Sequence, residues 1–335
     1  MHITESDSIL LGDIGGTNAR FTILNGGMIG PIKCIKVAEC SGLIEAISRY
    51  LGGHAEINSV KQAALGLAGT VENNRCEITN SGWIADGRML QDALGFREVR
   101  LFNDFEALAW SLPQLAPTDL FPLGGGPSLP HAPTLLVGPG TGFGTSCLLT
   151  NNGHPVVVAS EASHSTLPST CRREDDVIEL LRRRFGHVSI ERAVSGPGLV
   201  NLYEALAAID GAAIPKRDGT SITQAALNGS CSFSREAFDM FCAMLGTVAG
   251  NLALMFCARG GIYIAGGIVP RFAEYIARSE FRARFEAGGR YQAYLHDIPV
   301  SIIRRPDATF LGLKALITER PAPITIPVPN KPDAS

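Results

Sequence analysis

Ser8-Ile9-Leu10-Leu11-Gly12-Asp13-Ile14-Gly15-Gly16-Thr17-Asn18-Ala19-Arg20-Phe21-Thr22-Ile23-Leu24 joins two apolar runs through a glycine pair. The apolar run over 8–13 reads as a strand and the glycine pair as a turn. Residues 19–24 then form the strand that returns beside it. Residues 32–37 supply a third antiparallel strand. Leu43, Ile44, Ile47 and Leu51 recur at helical spacing, with Ser41 as the expected cap and Gly52-Gly53 as the stop. A strand over 62–67 runs to Gly69, a short hairpin strand covers 76–79, and a helix covers 86–94. After a strand over 99–102 the chain re-enters a helix directly behind Asn103-Asp104. Three strands in a row, followed by strands alternating with helices, predict an α/β chain with a mixed sheet and helices packed on it.

The second half opens in the same way. A strand over 134–137 meets the loop 138–144, then a strand over 145–149 and a third run over 155–159. The repeated pattern of strand, glycine loop and strand reads either as an internal duplication of one nucleotide-binding unit or as a chance likeness of two glycine turns. A helix with Val177, Leu180, Leu181 and Phe185 on one stripe starts at a Thr170 cap and stops at Gly186. Pro197 opens another helix. The segment 234–257 is apolar nearly all round, which predicts a deeply buried helix. A strand over 262–265 runs into Gly266-Gly267, and a helix starts near Pro270. The proline-rich stretch 112–133 reads as a crossing segment, and 320–335 as a flexible tail.

Charge and composition narrow the function. The 335 residues are 45% hydrophobic and 18% charged with a net charge of -3, so no basic excess points to nucleic acid. The run Arg182-Arg183-Arg184 reads as a solvated helix face. Eight cysteines without a CxxC pair suggest neither a disulfide framework nor zinc, and Cys147, Cys242 and Cys257 sit in apolar stretches as small hydrophobes. The polar N-terminus leads straight into a strand, and the most apolar segment is broken by Gly246, Gly250 and Asn251. No signal peptide and no membrane span is expected, and the expected address is cytoplasmic.

Three glycine turns end apolar strands: Asp13 to Asn18, Gly138 to Gly144, and Ala265 to Ile268. Glycine lets successive N–H groups approach one phosphate and permits positive φ, and Thr17 and Thr141 add hydroxyls. None matches the P-loop, so another phosphate-binding architecture is required. Asp13 beside such amides would repel a nucleotide unless a cation lay between them. It is a candidate Mg²⁺ ligand or simply a turn-forming aspartate. Asp104 is a candidate general base with Asn103 beside it, or an ordinary helix cap. Glu161, His164 and Glu191 have the planar acceptors that bridge sugar hydroxyls.

With these motifs in hand, the chain resembles the bacterial glucokinases of the non-repressor type, in the actin/hexokinase-like ATPase class. The resemblance runs from Leu10 to about Leu316. It includes Asp13 to Arg20, Ile78-Thr79-Asn80 with Trp83, Phe102 to Phe105, Gly138 to Gly144, and Glu161 with His164. His187 to Arg192, Ser195 to Tyr203, Gly250 to Leu254, Ile264 to Phe272 and His296 to Val300 complete it. It implies a two-domain actin/hexokinase-like (ribonuclease H-like) fold with mixed sheets and an interdomain cleft. The smaller domain would be 1–114 plus 305–321, the larger 115–304, and 322–335 a tail. It implies Mg-ATP on Asp13, Gly15, Gly16, Thr17, Asn18, Gly140, Thr141 and Gly142, with Gly266 and Gly267 near the adenosine. It implies glucose on Asn103, Asp104, Glu161, His164 and Glu191, with Asp104 as base toward the 6-hydroxyl, and a homodimer.

Two departures stand out. The family usually carries two glycines where this chain has Ala162 and Ser163, so a Cβ would be strained there if positive φ were needed. Pro139 donates no N–H to the phosphate loop. A kinase for another hexose, and a sugar sensor that binds without turnover, are the alternative readings.

Overall fold

The computed structural model describes residues 8–53, 59–151 and 153–318; the expected tail, 322–335, lies outside the described residues. β1 (Ser8–Ile14) turns through Gly15-Gly16-Thr17 into β2 (Asn18–Asn25), pairing Gly12 with Phe21 and Asp13 with Arg20. The expected third strand is present over 33–36, and a two-residue strand the sequence did not suggest precedes it. β3 (Met28–Ile29) and β4 (Lys33–Lys36) both pair with β2. α1 (Leu43–Leu51) follows, and here Ser41 is not the cap. Its N–H and hydroxyl donate to Glu45 at 2.7 and 2.6 Å, and Gly42 holds the cap position.

β5 (Val60–Leu67) lies parallel to β1. β6 (Arg75–Glu77) and β7 (Ile84–Asp86) make a separate ribbon, and Asp86 caps α2 (Gly87–Leu94). β8 (Glu98–Asn103) is parallel to β5 and delivers the chain into α3 (Asp104–Ala109). The first sheet has the order β3-β2-β1-β5-β8, with β4 also on β2.

The proline-rich stretch is not only a crossing. It contains β9 (Leu120–Gly124), the edge strand of the second sheet, where Pro122 is tolerated because an edge leaves N–H groups unpaired. β10 (Thr134–Pro139), β11 (Phe143–Asn151) and β12 (His154–Ser160) follow. The helices α4 (Arg172–Phe185), α5 (Gly196–Ile209), α6 (Gly219–Leu227) and α7 (Ser232–Met255) come next. Cys171 rather than Thr170 precedes α4, and Thr170 donates to Glu174 instead. On α4, Arg182 and Arg183 pair with Glu179, and Arg184 with Glu204.

β13 (Gly261–Ile264), the short helices α8 (Ala273–Ile276), α9 (Phe281–Glu286) and α10 (Gln292–His296), β14 (Val300–Ile303) and α11 (Ala308–Thr318) complete the described chain. The second sheet runs β12-β11-β10-β13-β14-β9.

The two sheets share one pairing logic. In each, the first strand is antiparallel to the next and parallel to the third, which is parallel to the fourth: β1, β2, β5, β8 and β10, β11, β13, β14. The strand–loop–strand repeat in the sequence is therefore a repeated unit of structure.

Period-two alternation buries β1 on both faces. Leu10 and Ile14 join the cluster with Ile47 and Tyr50 of α1, whereas Ile9 and Leu11 pack with Phe310 and Leu313 of α11. α11 thus returns to the first sheet from the far end of the sequence. α7 is the core helix of the second half; by length and composition it could cross a membrane, but it is mostly buried. A Cβ on Gly250 would stand 2.5 Å from Phe285 O, and one on Gly246 would overlap Phe281 O, so both glycines serve the close approach of α9. The eight cysteines are free. Cys147 and Cys242 are buried as expected, but Cys257 is exposed, because α7 ends before it.

Candidate active site

The C-terminal ends of β1, β5, β8, β10 and β13 face a cleft of about 700 Å³, lined by residues of both halves. At its floor β8 hands over to α3. Asn103 Oδ1 accepts the N–H groups of Phe105 and Glu106, both at 3.0 Å, and its Nδ2 donates to Gly69 O at 3.0 Å. Asn103 is therefore the helix cap, and the reading of Asp104 as an ordinary cap falls away. Half-buried Asp104 accepts the Phe105 N–H at 2.9 Å. Burial first, and then the charges of Asp13 and Glu161, push its carboxyl up to about 7, against the Phe105 N–H that pulls it down. A carboxylate poised there can take a proton at neutral pH.

The glycine turns form the walls. Gly15, Gly16, Gly140, Thr141, Gly142, Gly266 and Gly267 all line the cleft; Thr17 and Asn18 are exposed and lie off its lining. The expected use of positive φ holds only at Gly266 (φ 89°). The other turns need glycine for close approach. A Cβ on Gly16 would stand 2.6 Å from Thr79 O, and one on Gly142 would stand 2.5 Å from Glu191 Oε2. Beside Gly267 nothing lies within 4 Å of that position, so its backbone is open to a ligand.

Glu161, His164 and Glu191 come together on the same side. The 3₁₀ turn Ala162–His164 sets the first two, bringing His164 Nε2 to 3.8 Å from Glu161 Oε2. The Ile190 N–H donates to Ser165 O, which ties the Glu191 turn to this one. Glu191 Oε2 accepts the Phe143 N–H at 3.0 Å, so the loop 138–144 itself holds this carboxylate. Across the cleft, the Thr70 hydroxyl donates to Glu161 Oε1 at 3.2 Å.

Asp13 does not line the cleft. It faces Arg20, its cross-strand partner, in a two-pronged ion pair, and Arg20 also donates to Pro306 O at 2.7 Å. Among the described residues no cluster of three or more His, Cys, Asp or Glu could hold a metal. Four carboxylates, Glu77, Asp104, Glu161 and Glu191, line the cleft, and no Lys or Arg does among the described residues. Bringing a polyphosphate into that field calls for a divalent cation. Mg²⁺, which takes one or two carboxylates together with phosphates and waters, fits this donor set.

The glucokinase family model matches residues 10–320. The chain belongs to the glucokinase family. A glucokinase of Paramagnetospirillum magneticum is 42% identical over 317 residues, covering 94% of this chain and 98% of that one. The crystal structure of a glucokinase from an Antarctic psychrotroph superposes with a TM-score of 0.79 at 31% identity, over 92% of this chain and 98% of that one. A ROK family glucokinase from Streptomyces griseus, solved with glucose and AMPPNP, shares the fold at a TM-score of 0.64 and 19% identity, over 92% and 98% of the two chains. The fold is the actin/hexokinase-like one.

The loop from Glu161 to His164 needs no positive φ at the two positions where the sequence reading expected glycines. Neither Ala162 nor Ser163 has positive φ; both sit in the 3₁₀ turn, with Ser163 buried. The cost expected for a Cβ there does not arise. Thr70, Glu77, Thr79, Asn80 and Phe105 also line the cleft, and none was singled out from the sequence as a site residue. The signal for Thr70 was present. Ala68-Gly69-Thr70 follows β5 as Ala265-Gly266-Gly267 follows β13, so the duplication points to it.

Proposed function

We propose that Asp104 is the general base when this chain, an ATP-dependent hexose kinase, phosphorylates glucose. The observation that carries the reading is the carboxyl pushed up to about 7 on the floor of a cleft walled by glycine turns. The sugar 6-oxygen gives its proton to Asp104 as it bonds to the γ-phosphorus, and the bond to the β-phosphate oxygen breaks with its electrons leaving on ADP. Glu161, His164 and Glu191 orient the other hydroxyls. Asn103, whose carbonyl oxygen is committed to the cap, has only an amide hydrogen to offer.

Backbone N–H groups of Gly16, Thr141 and Gly142 face the phosphates; those of Gly15 and Gly140 donate to Asn18 O and Gly142 O at 2.9 and 2.8 Å and shape the turns, and Pro139 supplies none. Gly266 and Gly267 flank the adenosine. Mg²⁺, when bound with the nucleotide near Asp13, neutralises phosphate charge. Arg20 holds Asp13 through Oδ2, so the Asp13 carboxylate would supply at most its remaining oxygen toward such a cation.

The two halves, 1–114 with 305–321 and 115–304, act as the domains that close on substrate. A homodimer, implied by the resemblance, and a cytoplasmic address, expected from the sequence, complete the reading. The test is a panel of glucose, mannose, fructose and glucosamine with Mg-ATP, measuring sugar phosphate. Highest kcat/KM on glucose supports the assignment; turnover of another hexose alone overturns the substrate while leaving the kinase. Binding of glucose without turnover of any sugar overturns both.

A further inference from the structure

Asp104 belongs to the first half of the molecule and the phosphate loop to the second, and one residue is gripped by both. The Phe105 ring packs against two glycines of the second half. A Cβ on Gly144 would overlap the ring, and one on Gly138 would stand 2.6 Å from its Cζ. Neither glycine has positive φ, so the missing side chains make room for the ring rather than serving the backbone.

The carbonyl of the same residue is held as well. Ser146, fully buried on β11, donates its hydroxyl to Phe105 O at 2.9 Å. The N–H of Phe105 donates to Asn103 Oδ1 at 3.0 Å and to Asp104 Oδ1 at 2.9 Å. Ring, carbonyl and N–H thus connect β10, β11 and the side chain of Asp104 through a single residue.

We propose that Phe105 is a positioning residue that registers Asp104 on the phosphate loop, and that the α3–β11 contact is the fixed joint about which the two halves open and close. It rests on the reading of Asp104 as the base. Elsewhere the halves meet across the cleft through the Thr70–Glu161 hydrogen bond, which opening would break. The joint at Phe105 ties its carbonyl to a buried serine and packs a ring on bare backbone, so it keeps base and loop at one separation. Near-attack geometry in phosphoryl transfer tolerates little displacement, and a shift of about 1 Å can cost about 10²-fold in rate.

The test compares Phe105→Leu, which empties the seat on the glycines, and Ser146→Ala, which releases the carbonyl. The control is Phe285→Leu, a core substitution in the second half away from the cleft. For each, kcat, the KM values for glucose and ATP, and the thermal midpoint are measured. The expected result is a fall in kcat of about 10- to 10²-fold for Phe105→Leu and a smaller fall for Ser146→Ala. Both KM values stay within about threefold of wild type, and Phe285→Leu lowers the midpoint without lowering kcat.

Wild-type kcat in both cleft variants overturns the proposal. So does a loss matched by Phe285→Leu at equal destabilisation, or a loss confined to KM. Asp104→Asn run alongside separates the two readings. If it stays active, the base assignment fails by itself; if it is inactive while Phe105→Leu and Ser146→Ala are not, only the joint fails.

Discussion

At the scale of single residues the account turns on Asp104. Its carboxyl is pushed up to about 7 by burial and by Asp13, and its working form is the carboxylate. The kcat/KM for glucose should therefore fall as pH drops through about 7, approaching tenfold per unit below it, and Asp104→Asn should lack that limb; a pH–rate profile checks both. The same shift carries a stability consequence of opposite appearance. A carboxyl held above its unfolded value favours the folded state fully only below the unfolded pKa, and that contribution is lost as pH rises through about 7. Asp104→Asn should then melt at or above the wild-type temperature at pH 8, as calorimetry would show, although it loses activity.

Asn103→Ala removes the α3 cap and the tie to Gly69; a loss of about 0.5–2 kcal/mol in denaturant unfolding is expected. Asp104, Glu161, His164 and Glu191 were named through the family resemblance, because a lone acidic or imidazole group is more often a cap, solvated or structural; all four line the cleft. The cross-strand pair of Asp13 and Arg20 was legible, had register been counted across the turn. Thr70, Glu77, Thr79 and Asn80 were not singled out, since they come from coil and a two-stranded ribbon without periodicity.

Among the elements, the strands ending in glycine turns could be read in both halves because buried parallel strands are short apolar runs with abrupt stops. Less visible was β9, whose Pro122 disguises an edge strand; the packing of α11, far in sequence from the sheet it covers, was expected only through the resemblance. That packing hangs on one residue. A Cβ on Gly312 would overlap Ala107 O, so α11 and α3 meet backbone to backbone. Gly312→Ala should lower unfolding free energy by about 1–3 kcal/mol through overpacking. It should also reduce kcat, because α3 carries Asp104 at its first turn; urea unfolding and steady-state kinetics measure the two.

Over the whole molecule, a cleft with four lining carboxylates and no lining Lys or Arg among the described residues sets what can enter. Neutral polyols fit, whereas gluconate and glucose 6-phosphate should be poor acceptors, since like charges repel strongly in a partly dry site. Efficient phosphorylation of either would contradict the assignment of these carboxylates. The most direct measurement is glucose- and Mg-ATP-dependent formation of glucose 6-phosphate by wild type and Asp104→Asn, with glucose binding followed by calorimetry. The prediction is robust wild-type turnover, a fall of about 10²–10⁴-fold in kcat for Asp104→Asn, and retained glucose binding. Near-wild-type turnover by Asp104→Asn would contradict the role given to the residue at the floor of the cleft.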